Sequence, residues 1–323
     1  MRTRLRPKQL ATLYDESREK VSALHREQLL NQRFREHIRL SYQNCDGVRE
    51  LFRTADVSLH EIGSVKDLDK LPVMTKDDLA AFQRARPPYG GFLGVKKNGT
   101  GRIYLTPRPL FAVWGPERIE ALVRDFLRVG YPRPGDLVLI SQEYHLLPGG
   151  LALTDALDLM GCIVVPAGTG QIELQVGLLR DLNPAVVFGL TSFIMALIDK
   201  SEELGYDFRR DFQVKSVFGG NERHIQKVKS VLEQKYGLAV GDTYGTADVG
   251  PVGYCCGQGD GYHYDDESCV VEIADPNTGK QLEPFELGQI VVTPFSRTYP
   301  LVRFGTGDLA SYTTEPCPCG RPA

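Results

Sequence analysis

The chain has 323 residues, enough for one large α/β domain with subdomains or for two ordinary domains. A hydrophobic fraction of 42% and a charged fraction of 24% are those of a globular protein and exclude long-range disorder. Lys+Arg of 38 against Asp+Glu of 41 leaves a net charge of -3, so the overall balance points to no nucleic-acid partner.

The start is locally basic (Arg2, Arg4, Arg6, Lys8, Arg18, Lys20), with Asp15, Glu16, Glu19 and Glu27 interleaved. Apolar residues at helical spacing (Leu10, Leu13, Val21, Leu24, Leu29, Leu30, Phe34, Ile38) predict a helix over residues 8 to about 42. The basic residues then read as the solvated face of a surface helix, or as an anion-attracting arm; that face is also a candidate homodimer surface. No apolar core follows the basic start, so it is not a secretory signal. No apolar run reaches the length of a membrane span, so a cytoplasmic protein is expected. Residues 46 to 82 predict short helices, with a break at Leu71-Pro72 and a cap at Thr75. Residues 85 to 101 are rich in Pro, Gly and Lys and predict a loop, and 103 to 106 a strand.

Strands and helices then alternate. Helices are expected at 116 to 130, 149 to 160, 171 to 182, 191 to 204 and 222 to 236. Strands are expected at Leu137 to Ser141, Cys162 to Val165, Val186 to Phe188, Val214 to Phe218 and Ala239 to Tyr244. LVLIS is almost wholly apolar, as suits a parallel strand covered on both faces. The alternation predicts an α/β fold of parallel strands with crossover helices. After Tyr244 short strands at 269–274, 287–293 and 301–304 predict a β-rich subdomain. In chain order this gives an N-terminal helical region (1–84), an α/β core (85–248) and a β-rich subdomain (249–323).

Ligands of such sheets sit at the carboxyl ends of the strands. Phe218-Gly219-Gly220-Asn221 follows one such end, where two glycines admit close backbone approach or form only a tight turn. In Asp242-Thr243-Tyr244-Gly245-Thr246-Ala247-Asp248 a flat aromatic face, a free backbone, a hydroxyl and a carboxylate suit a purine, a phosphate and Mg²⁺; a capped strand–turn–helix is the plain alternative. In Arg303-Phe304-Gly305-Thr306-Gly307-Asp308 a Gly-flanked aspartate can accept two hydrogen bonds from a ribose diol, or close an Asx turn.

In this order these segments resemble the adenylate-forming superfamily, most closely its phenylacetate–CoA ligase branch. LPVMTKDDL, YHLLPGGLALTDALDLMGCIVVPAGTGQIELQ, YGTADVG, LVRFGTGDL and CPCGR carry the resemblance, which covers nearly the whole chain. It implies the N-terminal large domain of that fold and ATP-dependent activation of a carboxylic acid, aryl or small, as an acyl-adenylate. Transfer to CoA, or to a protein or carrier, follows. It further implies that Tyr244 stacks on adenine and that Gly219, Gly220, Asn221 and Gly245 line the purine site. Thr246 would contact the α-phosphate, Asp248 would hold Mg²⁺, and Asp308 would bind the ribose. Tyr144, His145, Pro148, Gly149 and Gly150 would border the acyl pocket.

Three departures accompany the resemblance. The branch's phosphate loop is reduced to Lys97, Gly99, Thr100 and Gly101. The acidic residue of the purine motif is Asp248 where glutamate is usual. The sequence also stops where the family's small C-terminal domain, with its catalytic lysine, would begin. A catalytically degenerate nucleotide-binding homologue is therefore the second reading.

Seven cysteines, an odd number in a large chain, argue against a disulfide framework. Cys45 and Cys162 read as buried thiols. Cys256, His263, Cys317 and Cys319 form a candidate tetrahedral zinc set, as several enzymes of the branch also look to carry; Cys255 could replace Cys256, and reduced thiols are the plain alternative. His25, His37 and His60 are expected to be solvated, His224 to cap a helix, and His145 to lack a partner for general-base work.

Overall fold

The computed structural model describes Tyr14 and residues 19–219, 225–258 and 261–321. Helix α1 (Ala23–Asn44) starts where the Ser22 hydroxyl accepts the His25 N–H at 3.3 Å. The expected stretch before residue 19 lies outside the described residues, Tyr14 excepted. The stripe that buries Leu30, Phe34 and Ile38 also carries His37, so this histidine is buried against Phe295 and Ser41 and is not solvated as expected. His25 and His60 are exposed as expected. Helices α2 (Asp46–Thr54) and α3 (Lys76–Ala85) follow, with two 3₁₀ turns between them. Thr75 caps α3 in a capping box: its hydroxyl accepts the Asp78 N–H at 3.1 Å, and the Asp78 carboxylate accepts the Thr75 N–H at 2.9 Å.

Strands β1 (Arg102–Leu105) and β2 (Phe111–Trp114) form an antiparallel hairpin. After α4 (Pro116–Val129) comes the alternation: β3 (Leu137–Ser141), α5 (Gly149–Met160), β4 (Ile163–Val165), α6 (Ile172–Leu182), β5 (Val186–Gly189), α7 (Thr191–Glu203), α8 (Phe208–Asp211), β6 (Ser216–Phe218), α9 (Ile225–Gln234) and β7 (Ala239–Gly241). These five strands form one parallel sheet in the order β4-β3-β5-β6-β7. The order reverses between β3 and β5, so the switch point falls at their carboxyl ends. Leu139, Val187 and Val217 pack with Leu179, Ile194, Leu197 and Ile198 of the covering helices. Full burial of each such side chain contributes roughly 1.5–3 kcal/mol.

The strand expected over Ala239–Tyr244 is two strands. β7 ends at Gly241, and β8 (Thr243–Thr246) joins a different sheet, in the order β10-β9-β8 with β9 (Gly250–Tyr254) and β10 (His263–Tyr264). Thr246 to Gly250 is therefore a strand–turn–strand hairpin and leads into no helix. In the third sheet β11 (Cys269–Ala274), β12 (Gly288–Pro294) and β13 (Phe304–Ala310) are antiparallel. The last strand was expected at 301–304, where Arg303 instead has φ +49 and breaks the extended backbone.

Contacts divide the chain into two units. Leu122–Tyr244 with Tyr254–Tyr262 make one, which holds the parallel sheet; Glu16–Ala121, Gly245–Gly253 and His263–Ala323 make the other. Among the described residues no helix is long and apolar enough to cross a membrane.

Candidate active site and metal centre

In the parallel-sheet unit, the segment after β3 carries the acyl-pocket candidates and lies at the switch point. Gly149 opens α5 and Pro148 is its N-cap. A Cβ on Gly150 would fall 2.5 Å from the Tyr144 ring, so only glycine lets this ring lie on the helix. Tyr144 is half-buried, and its hydroxyl lies 2.9 Å from Thr154 Oγ1. His145 is exposed and has the partner that the sequence did not reveal: its Nδ1 lies 2.9 Å from Glu143 Oε1. Glu143 also accepts the Tyr144 and His145 N–H groups, and these bonds hold its carboxyl below the usual range. Gly219 follows β6; Gly220, Asn221 and His224 lie outside the described residues.

Beyond β7 stands Asp242, to which no role was given from sequence. Its Oδ2 accepts the Tyr262 hydroxyl, while its Oδ1 is buried with no hydrogen-bond partner among the described residues. Burial pushes this carboxyl up to about 6. Tyr244 is half-buried, its ring centroid 6.2 Å from that of Tyr262. A buried acceptor beside two aromatic rings suits a flat ligand with an exocyclic donor.

In the second unit three motifs distant in sequence meet. Met74 N–H donates to the Arg303 carbonyl at 2.8 Å, and Gly305 N–H to the Met74 carbonyl at 2.9 Å, so LPVMT runs beside RFG. The next residue but one, Lys76, places its Nζ 3.9 Å from Asp248 Oδ2. Asp248, 4% exposed, sits in the turn between β8 and β9, and its Oδ1 is buried with no hydrogen-bond partner among the described residues. Burial raises its pKa, against the opposing pull of Lys76 and Arg118. An orphaned carboxylate oxygen costs free energy unless a donor or cation meets it, which fits a hard divalent cation. Half-buried Thr246 accepts the Val249 N–H at 3.3 Å across the same turn. A Cβ on Gly245 would fall 2.6 Å from the Gly250 carbonyl, which explains the glycine between Tyr244 and Thr246.

Asp308 lies in a bulge of β13 and not in the turn expected from its flanking glycines. Gln289 pairs with Leu309 and Val291 with Gly305, so Thr306, Gly307 and Asp308 stand opposite Ile290 alone. Gly307, at φ +87, supplies the left-handed residue of the bulge, and exposed Asp308 donates its N–H to Thr306 Oγ1 at 3.1 Å.

His263, Cys317 and Cys319 also gather in this unit, their ligand atoms within 4.8 Å of one another, with Cys319 Sγ 3.4 Å from His263 Nε2. Burial, then Arg321 and Arg26, lower the His263 pKa, which favours the neutral imidazole. Arg321 donates to Cys319 Sγ at 3.5 Å and pairs with Glu19. Cys256 belongs to the other unit, directly after buried Cys255; Cys45 and Cys162 are buried as expected.

No family model matches the chain. A phenylacetate-coenzyme A ligase of Pseudomonas putida is 30% identical over 300 residues, covering 90% of this chain and 66% of that protein. Its counterpart from Aromatoleum evansii is 28% identical over 302 residues, covering 90% and 67%. A 2-hydroxyisobutyryl-CoA ligase solved in an open conformation with 2-HIB-AMP and CoA superposes with a TM-score of 0.87 at 25% identity, over 94% of this chain and 74% of that one. The chain belongs to the adenylate-forming superfamily, in its phenylacetate–CoA ligase-like branch. It spans about two thirds of the length of the curated relatives it matches.

Proposed function

We propose that this protein activates a carboxylic acid, aryl or small, with ATP and passes the acyl group to CoA. The observation that carries the reading is the buried, unpartnered Asp248 Oδ1 on a turn reached by Lys76, within a fold matching CoA ligases along nearly all its length. A carboxylate oxygen of the acid attacks the α-phosphorus of ATP, the bond to the β-phosphate breaks, and pyrophosphate leaves. The CoA sulfur then attacks the acyl carbon and AMP leaves. Mg²⁺ bound by Asp248 would neutralise phosphate charge in the first step. In this reading Tyr244 takes the adenine and Gly219, Gly220, Asn221 and Gly245 are the proposed lining of the purine site; Thr246 contacts the α-phosphate, and Asp308 accepts from the ribose hydroxyls. Tyr144, His145, Pro148, Gly149 and Gly150 border the acid.

His263, Cys317 and Cys319 are proposed zinc ligands. Residues 257–262 alone separate Cys256 from His263 in the chain, and Cys256 is the proposed fourth ligand. Three thiolates and an imidazole close a tetrahedron, so the metal is structural. The cytoplasm, where ATP and CoA are at hand and thiols stay reduced, is the proposed compartment.

Calorimetric titration with AMP and with ATP·Mg²⁺, beside the Asp308→Ala variant, tests the reading. Saturable binding that the variant loses is expected. Absence of binding at millimolar nucleotide, about -4 kcal/mol, would instead favour the degenerate homologue, which the reduced phosphate loop at Lys97–Gly101 would then explain.

A further inference from the structure

The segment Trp114–Arg118 has no part in the assignments above, yet it holds the turn that carries Asp248. Trp114 Nε1 donates to the Ala247 carbonyl at 2.7 Å, and Arg118 Nη1 to the Asp248 carbonyl at 2.8 Å. The guanidinium lies 5.5 Å from the centroid of the Trp114 ring, so the two donors brace each other. Arg118 is 3% exposed, and its second hydrogen bond also goes to a main-chain carbonyl, that of Tyr299, at 3.4 Å. Its Nε is buried with no hydrogen-bond partner among the described residues. Its hydrogen bonds thus go to neutral main-chain carbonyls, while the nearby carboxylates of Glu117 and Asp248 offset part of the cost of burying the charge. Gly250, at φ +89, admits it: a Cβ there would fall 3.0 Å from Arg118 Cδ. On the same helical turn Glu117 accepts from Ser296 Oγ at 2.7 Å and from Thr298 N–H at 3.0 Å, anchoring the segment that leads into β13.

We propose that Trp114 and Arg118 are positioning residues for Mg²⁺ at Asp248: by fixing two successive carbonyls of the turn, they hold its carboxylate in one orientation for the cation. This rests on the reading of Asp248 as the Mg²⁺ carboxylate. Neither residue touches substrate; both act through the turn. Trp114→Phe keeps an aromatic side chain but removes the N–H together with one of the two fused rings, while Arg118→Lys keeps the charge and removes the fork.

The test measures ATP affinity with and without Mg²⁺, and AMP affinity without Mg²⁺, by calorimetry on the full chain. The Mg²⁺ enhancement of ATP binding is expected to fall about tenfold in Trp114→Phe and in Arg118→Lys, with metal-free AMP affinity within about twofold of wild type. If one variant fails to fold, as judged by circular dichroism, the other carries the test. An unchanged enhancement, or equal losses for AMP and ATP·Mg²⁺, would overturn the proposal. If the wild-type protein shows no enhancement, or Asp248→Asn keeps it, the reading of Asp248 fails and takes the proposal with it. Loss in Asp248→Asn with none in the clamp variants refutes the clamp alone. Trp114 is the only tryptophan, so its emission reports on the turn directly. ATP·Mg²⁺ is expected to shift that emission in the wild-type protein and to leave it unshifted in Asp248→Asn.

Discussion

Arg303→Met is expected to destabilise the protein by about 3–5 kcal/mol, the cost of stranding one member of a buried ion pair. Arg303 is 1% exposed and Glu272 5%. The guanidinium meets the Glu272 carboxylate at 2.9 and 3.1 Å and also donates to the Leu71 carbonyl at 2.5 Å and the Gly279 carbonyl at 2.7 Å. Methionine fills much of the volume, so the loss is electrostatic and polar and leaves little cavity. At roughly 2 °C per kcal/mol for a chain of this size, the melting temperature should fall by about 6–10 °C at pH 8. Burial raises the Glu272 pKa while Arg303 pulls it down. Without the arginine, burial acts unopposed and the folded pKa rises further above the unfolded value. A raised carboxylate pKa penalises the folded state above that pKa, and the penalty fades as pH falls towards the unfolded value, about 4.3. The deficit should therefore be largest at pH 8 and smaller near pH 5, by scanning calorimetry. Arg303→Met/Glu272→Leu should recover part of the loss. A variant melting within about 1 °C of wild type at pH 8, or a deficit that does not shrink on acidification, would refute this reasoning.

Three further outcomes are expected. Burial brings the His37 imidazole down to about 4, with Glu117 opposing and Arg297 adding. A depressed folded pKa contributes stability above the unfolded value, about 6.5, that is lost as pH falls towards 4, at most roughly 3 kcal/mol. His37→Phe should flatten the decline in melting temperature over that window; parallel wild-type and variant profiles would contradict it. The protein as purified should carry one zinc per chain by atomic emission, and chelation or Cys317→Ser should lower the melting temperature by several degrees; a metal-free protein of unchanged stability would remove the metal. Gly150→Ala pushes a Cβ within 2.5 Å of the Tyr144 ring and should cost roughly 1–3 kcal/mol by overpacking, read as a lower melting temperature. A variant as stable as wild type would show that Tyr144 moves aside freely.

Much of the architecture is legible in local chemistry. LVLIS is apolar at almost every position because β3 is covered on both faces, and Thr75 with Asp78 forms a capping box because a helix must satisfy its first N–H groups. Gly245 after Tyr244 and Gly307 before Asp308 likewise mark where the chain must approach itself or turn. Long-range packing is not written in any local period. Gly241 ends one sheet and Thr243 enters another because of what each pairs with, so the run Ala239–Tyr244 reads as one strand until its partners are known. His37 looks solvated in sequence and is buried because Phe295, far along the chain, packs on it. The same holds for chemistry. The motif residues name themselves, but the burial that leaves Asp248 Oδ1 without a hydrogen-bond partner among the described residues is set by tertiary packing, and the clamp of Trp114 and Arg118 on its turn comes from contacts across 130 or more residues. Periodicity and capping are set by neighbours a few residues away, whereas desolvation and positioning are set by whatever the fold brings into contact.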